Sequence, residues 1–272
     1  MFLINGKPGD SVSVQDRGLH YGDGVFETIA VYQDKLLCWD KHYERLKQGC
    51  QHLDIPCPDQ QLLLDESRQL RSETKAVIKI IVTRGAGGRG YNPHGEINPT
   101  RIVACYIWPD YPDNLAIDGI KARICSLRLA HNPGLAGIKH LNRLEQVMAR
   151  SEWSDTEIAE GLMMDQDENI IEGTMSNVFI INERKLITPD LSRCGINGII
   201  RQCIIELAPE LEMITEIRNI KQHELPGADE IFLCNSTFGV WPVREIDGKQ
   251  SSTGSYTNLI REALIKHGYI CP

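Results

Sequence analysis

No stretch of this 272-residue chain approaches the roughly 18 consecutive apolar residues that a membrane-spanning helix needs. The opening Met1-Phe2-Leu3-Ile4-Asn5-Gly6 lacks the basic start and long apolar core of a signal peptide, so the expected compartment is the cytoplasm. The nine cysteines contain no Cys-x-x-Cys pair, and their odd number fits reduced thiols better than a disulfide framework. The eight histidines form no His-x-x-x-His or His-Glu-x-x-His group, and no metal site is expected. There is no basic run: 29 Lys and Arg are outnumbered by 37 Asp and Glu, giving a formal charge of −8 spread along the chain. That balance argues against nucleic acid or an anionic membrane and leaves a small molecule as the expected partner. Internal repeats and low-complexity tracts are missing as well.

What is present is the composition of an ordinary globular protein, with 42% hydrophobic and 24% charged residues. The length exceeds the usual domain of about 100 to 150 residues, so one large or two medium domains are expected. The first third reads as strands and hairpins with two helices: 2–4, the Asn5-Gly6 turn signal and 12–14, then 25–32, helices over 40–53 and 59–70, and strands at 77–82 and 102–107. Pro109-Asp110-Tyr111-Pro112-Asp113-Asn114 interrupts the apolar runs. The boundary is placed there, with a smaller domain over 1–108, a linker over 109–118 and a larger domain over 119–272. Strands are expected near 120–126, 161–165, 178–181, 213–217 and 230–234, and helices over 142–153, 198–207 and 257–267. The resulting class is α+β in two domains.

Gly85-Ala86-Gly87-Gly88-Arg89-Gly90 satisfies Gly-x-Gly-x-x-Gly after a strand, the pattern that opens a helix in a dinucleotide-binding unit. Tyr91-Asn92-Pro93-His94-Gly95 and Pro99 forbid that helix, so the segment reads as a glycine-rich loop that either covers a pocket or is a mobile connection. Asn197-Gly198-Ile199-Ile200-Arg201 is different, because its glycine precedes a predicted helix whose first N–H groups have no partner in the helix and suit an anion.

The order of several motifs is more specific than any one of them. His42-Tyr43-Glu44-Arg45-Leu46, Lys139, Glu172-Gly173-Thr174-Met175-Ser176-Asn177-Val178-Phe179, Leu186-Ile187-Thr188 and Ile196-Asn197-Gly198-Ile199-Ile200-Arg201 follow one another at spacings that resemble the class IV pyridoxal-phosphate enzymes. That family includes branched-chain and D-amino-acid aminotransferases and aminodeoxychorismate lyase. The resemblance implies the family's two-domain fold, a homodimer, and pyridoxal 5′-phosphate carried by Lys139 in the larger domain. It also implies that Arg45, Gly198, Ile199, Ile200, the Asn235 backbone and the Ser236 hydroxyl hold the phosphate, and that Glu172 meets the pyridine nitrogen.

Within the family, Asn132-Pro133-Gly134-Leu135-Ala136-Gly137-Ile138-Lys139-His140-Leu141-Asn142-Arg143-Leu144-Glu145-Gln146 and the loop from Arg84 to Tyr91 look like the lyase branch. Leu144 stands where branched-chain aminotransferases usually have a tyrosine, five residues after the lysine. This implies conversion of 4-amino-4-deoxychorismate to 4-aminobenzoate and pyruvate, a step towards folate. An aminotransferase acting on D-amino acids or branched-chain amino acids is the alternative. For the two substrate carboxylates the candidates are Arg89 first and Lys79 second, with Thr28 lining the same cavity.

Overall fold

Two short turns with positive φ set the first sheet. Asn5 and Gly6 adopt φ of 50° and 81°, and Gln33 and Asp34 adopt 45° and 64°, the mirror-image turn whose twist suits a tight hairpin. The computed structural model describes residues 1–70, 74–93, 97–112 and 114–272. Contacts divide the chain into two units, Met1–Pro109 with Ile138–Asn142, and Asp110–Gly137 with Arg143–Pro272. The chain changes units between Pro109 and Asp110, inside the expected linker, but the five residues around Lys139 return to the N-terminal unit. Assigning that lysine to the larger domain is therefore corrected: its segment pairs with an N-terminal strand, a contact that proximity in sequence cannot reveal.

The first unit holds β1 (Phe2–Ile4), β2 (Lys7–Pro8), α1 (Arg17–Tyr21), β3 (Gly24–Tyr32), β4 (Lys35–Leu36), α2 (Trp39–His52), α3 (Gln60–Leu70), β5 (Lys75–Thr83) and β6 (Thr100–Ile107). The sheet order is β2-β1-β6-β5-β3-β4. The strand expected at 12–14 does not form; β1 pairs instead with Lys7 and Pro8, directly after the Asn5-Gly6 turn. Val25, Ile29 and Val31 of β3 and Ile78, Ile80 and Val82 of β5 alternate onto one face. Helix α2 covers that face with His42, Leu46, Gly49 and Cys50, a helical spacing. Full burial of Leu46 contributes about 2 kcal/mol. Gly49 permits a close approach, since a Cβ there would lie 2.9 Å from Val25.

The second unit holds α4 (Leu115–Asp118), β7 (Ile120–Leu129), α5 (Leu144–Arg150), β8 (Ile158–Asp165), β9 (Asn169–Gly173), β10 (Asn177–Asn182), β11 (Lys185–Thr188), α6 (Ile199–Leu207), β12 (Ile214–Ile217), β13 (Ile220–Lys221), β14 (Glu230–Asn235), β15 (Gly239–Ile246), β16 (Lys249–Gln250) and α7 (Ser255–Lys266). Strands β10, β14, β15, β7, β8 and β9 are neighbours in that order, and a β9–β10 pairing closes the ring. Val178, Ile180, Ile231, Leu233 and Val243 pack in one core. Alternate residues Phe179 and Phe232 stack with ring centroids 5.0 Å apart. Both faces of β10 are thus buried, which explains its uninterrupted apolar run. No helix is long and apolar enough to cross a membrane among the described residues. His94, Gly95 and Asp113, which entered the loop and linker expectations, lie outside the described residues.

Candidate functional site

Strand register assembles one group in the second unit. Asn177 stands opposite Glu172 on β9 and opposite Cys234 on β14, so three strand ends meet at one mouth of the closed strands. Glu172 is 3% exposed. Its Oε2 accepts the Ile196 N–H at 2.8 Å and its Oε1 accepts Gln146 Nε2 at 3.2 Å. Asn177 Nδ2 donates to the Ile196 carbonyl at 2.8 Å. The turn at 195–198 is therefore held from both sides by residues of the same motif.

Arg201 has a different task from ligand binding. Its Nε donates to Thr188 Oγ1 at 3.1 Å, Nη1 to Asn197 Oδ1 at 3.0 Å and Nη2 to the Pro189 carbonyl at 2.9 Å. Thr188 Oγ1 donates in turn to the Val178 carbonyl at 3.0 Å. The fixed spacing of Asn177, Thr188, Asn197 and Arg201 is thus a hydrogen-bond scaffold that builds the entry to α6. Gly198 caps that helix without a side-chain hydrogen bond, so Ile199 and Ile200 begin it with N–H groups that no helical carbonyl reaches. A Cβ on Gly198 would lie 1.9 Å from Asn177 Oδ1.

At the end of β14, Asn235 Oδ1 accepts the N–H groups of Thr237 and Phe238 at 2.9 and 2.8 Å, and Nδ2 donates to the Met175 carbonyl at 3.1 Å. The side chain shapes the 235–238 turn, which leaves the backbone as the part able to meet a ligand; Ser236 follows it, half-buried. Sequence reasoning missed Glu160. Fully buried, it accepts from the Thr174 and Met175 N–H groups and from the Thr174 and Ser176 hydroxyls, holding the turn that follows Glu172. The hydroxyls in Thr174-Met175-Ser176 were its only signal.

A second group lies in the N-terminal unit. Residues 139–141 run beside the start of β3, with the Phe26 N–H donating to the Lys139 carbonyl and the Leu141 N–H to the Gly24 carbonyl, each at 3.0 Å. Lys139 Nζ stands 4.4 Å from the Phe26 ring centroid, and Lys79 Nζ stands 5.2 Å from the same centroid. Thr28 is opposite Lys79 in the β3–β5 register. The pleat carries Glu27 to the other face, where it is 1% exposed. Arg45 grips it with Nε on Oε1 at 2.8 Å and Nη2 on Oε2 at 2.6 Å, and His42 Nδ1 lies 2.6 Å from Oε2. Burial would raise the Glu27 carboxyl, but Arg45 and the hydrogen bond to His42 overcome it and hold the group down to about 2. Burial lowers His42. Arg45 is therefore part of a buried charge cluster, not one more solvated charge on a helix.

The loop after β5 does not continue as a helix. Arg17 donates to the Gly90 and Tyr91 carbonyls at 2.9 and 3.0 Å, and both Arg17 and Arg84 bond Asp23. Arg89 is exposed on this pinned loop.

The second unit thus carries a buried carboxylate, Glu172, beside an uncapped helix entrance at Gly198, and the first unit carries a lysine on an aromatic ring, Lys139 on Phe26. The two units define a fold of the class IV aminotransferase type. The model for amino-transferase class IV matches residues 24–246, and the chain belongs to that family, whose cofactor is pyridoxal 5′-phosphate. It is similar to the aminodeoxychorismate lyase of Vibrio harveyi, 36% identical over 253 residues that span 92% of this chain and 93% of the relative. Among solved structures it resembles 4-amino-4-deoxychorismate lyase from Pseudomonas aeruginosa, with 42% identity, a TM-score of 0.93 and coverage of 99% and 100%. It also resembles branched-chain amino acid aminotransferase from Escherichia coli, with 27% identity, a TM-score of 0.88 and coverage of 99% and 95%.

Proposed function

We propose that this chain is a pyridoxal-phosphate-dependent lyase that converts 4-amino-4-deoxychorismate to 4-aminobenzoate and pyruvate in folate biosynthesis. The geometric observation that carries the reading is the pair of ammonium groups sharing Phe26, Lys139 at 4.4 Å and Lys79 at 5.2 Å. A substrate with two carboxylates has use for a second cation beside the reacting amine, and Thr28 adds a hydroxyl opposite Lys79. Arg89 serves the other carboxylate from the pinned loop. The similarity to two lyases over nearly the whole chain supports the same choice.

When bound, the cofactor supplies an electron sink in its protonated ring. Lys139 Nζ is its point of attachment. With its amine free, Lys139 would take the proton from the substrate ring carbon bearing the nitrogen and, as the carbon–oxygen bond breaks, would give a proton to the departing enolpyruvate. Loss of that group leaves an aromatic ring, which makes the step hard to reverse. Glu172 keeps the pyridine nitrogen protonated, its orientation fixed by Ile196 and Gln146. Arg45, the Gly198, Ile199 and Ile200 backbone, the Asn235 backbone and the Ser236 hydroxyl hold the phosphate. Glu27 occupies two nitrogens of Arg45 and so sets the direction of its fork.

A homodimer in the cytoplasm belongs to this proposal. Leu144, Val147 and Met148 of α5 are 69%, 59% and 54% exposed at helical spacing, an apolar stripe suited to a second copy.

The test is turnover. Purified holoenzyme given 4-amino-4-deoxychorismate should release 4-aminobenzoate and pyruvate, and Lys139→Ala should lower the rate by at least about 100-fold. No aromatic product, together with rapid amino transfer from a D- or branched-chain amino acid to a keto acid, would establish the aminotransferase alternative instead.

A further inference from the structure

The ring of strands in the second unit has two mouths. Glu172, Asn177 and Asn235 stand at one, because β9 ends there, β10 begins there and β14 ends there. The opposite mouth lies where β9 begins and β15 ends, and it opens into a cavity of about 420 Å³ lined by Leu225, Ile231, Ile246, Lys249 and Ser251. That volume falls within the roughly 300 to 1,000 Å³ of small-molecule pockets, which favour the mouths of β-barrels.

The lining has an amphipathic order. Leu225, Ile231 and Ile246 belong to the core that fills the ring and form an apolar floor. Among the described residues Ser251 Oγ is buried without a hydrogen-bond partner, an arrangement that costs about 1 to 3 kcal/mol unless something accepts from it. Lys249 brings a cation to the same rim, on the short strand β16. Glu168 and Asp247 also line the cavity. Asp247 is already turned towards the Ile124 N–H, at 3.3 Å.

We infer that this mouth is a second ligand site, distinct from the groups assigned to the cofactor, and that it takes a small monocarboxylic acid built on one or two rings. The rings lie on Leu225, Ile231 and Ile246, while the carboxylate accepts from Lys249 Nζ and from Ser251 Oγ once that hydroxyl turns about its Cα–Cβ bond into the cavity. One hydroxyl and one ammonium match two carboxylate oxygens. Glu168 and Asp247 balance Lys221 and Lys249 in the lining and tolerate an amine on the ring.

The experiment uses the holoenzyme with 4-aminobenzoate as probe and benzamide as its uncharged counterpart. Methyl NMR of the wild type should show shifts at Leu225, Ile231 and Ile246 with 4-aminobenzoate and much smaller ones with benzamide. Ser251→Ala and Lys249→Gln should each weaken that binding about tenfold while leaving turnover of 4-amino-4-deoxychorismate unchanged. The inference is overturned if these methyls stay still up to about 10 mM probe, or if binding is indifferent to both substitutions. Failure of the lyase assay would not touch this result, because the methyl shifts report binding at a mouth that holds none of the proposed catalytic groups.

Discussion

Glu27 shows how a residue without an evident role in the sequence comes to govern one to which we assign a role in the proposal. It neutralises Arg45 and bonds His42 in a setting closed to water. Removing one member of such a cluster leaves buried charge uncompensated, so Glu27→Gln should destabilise the protein by about 3 kcal/mol at pH 7. Its folded-state carboxyl is held at about 2 against an ordinary 4.5. A depressed carboxyl stabilises the fold fully above its unfolded value and loses that contribution as pH falls through the folded one. The gap between wild type and variant in urea melts should therefore be widest above about pH 4.5 and close towards about pH 2; a gap independent of pH would contradict it. Arg45 and Lys139 could be picked out of the sequence because each sits in a motif. Glu27 could not be assigned its partners, which lie 15 and 18 residues away on a helix and become neighbours only when α2 folds over β3. Glu160 was hidden for the same reason, its contacts being 14 to 16 residues downstream.

Elements with local signals were legible, and those decided by packing were not. Asn5-Gly6 specified its turn through backbone conformation alone, whereas the short alternation at 12–14 formed no strand. The entrance of α6 was readable because glycine before an apolar helical pattern has a direct steric meaning. Gly198→Ala would place a methyl 1.9 Å from Asn177 Oδ1 and push that side chain off the Ile196 carbonyl. The expected result is a loss of about 1 to 3 kcal/mol in melting experiments, with faster release of pyridoxal phosphate on dialysis. Unchanged cofactor retention would mean that this turn does not hold the phosphate. Helix α5 falls inside the helix expected over 142–153, but the placing of its apolar face was not legible. Leu144, Val147 and Met148 have the spacing of a core-facing stripe, yet they are exposed, and periodicity cannot say whether an apolar face is covered by its own chain or by another.

For the molecule as a whole, that stripe makes a measurable claim. Sedimentation of the wild type should give twice the chain mass, and Val147→Asp with Met148→Lys should shift it to the monomer without loss of helical signal. A wild type that sediments as a monomer at micromolar concentration would remove the dimer from the proposal. The class of fold followed from alternating strands, helices and the proline-rich break at 109–114, because those are written locally. What no local rule supplied was the closure of β9 on β10, a single residue pair between Glu172 and Asn177, or the return of Ile138–Asn142 to the N-terminal unit.

That return has a consequence for how such a protein can be cut and rebuilt. The polypeptide passes between units after Pro109, after Gly137 and again after Asn142, so severing it at the proline-rich break frees no self-sufficient half. A fragment ending there would be missing the stitch that runs alongside Gly24 and Phe26, and the remaining piece would carry that stitch with nothing to sew it to. Swapping halves between relatives would have to transplant a five-residue thread from the middle of the other half as well.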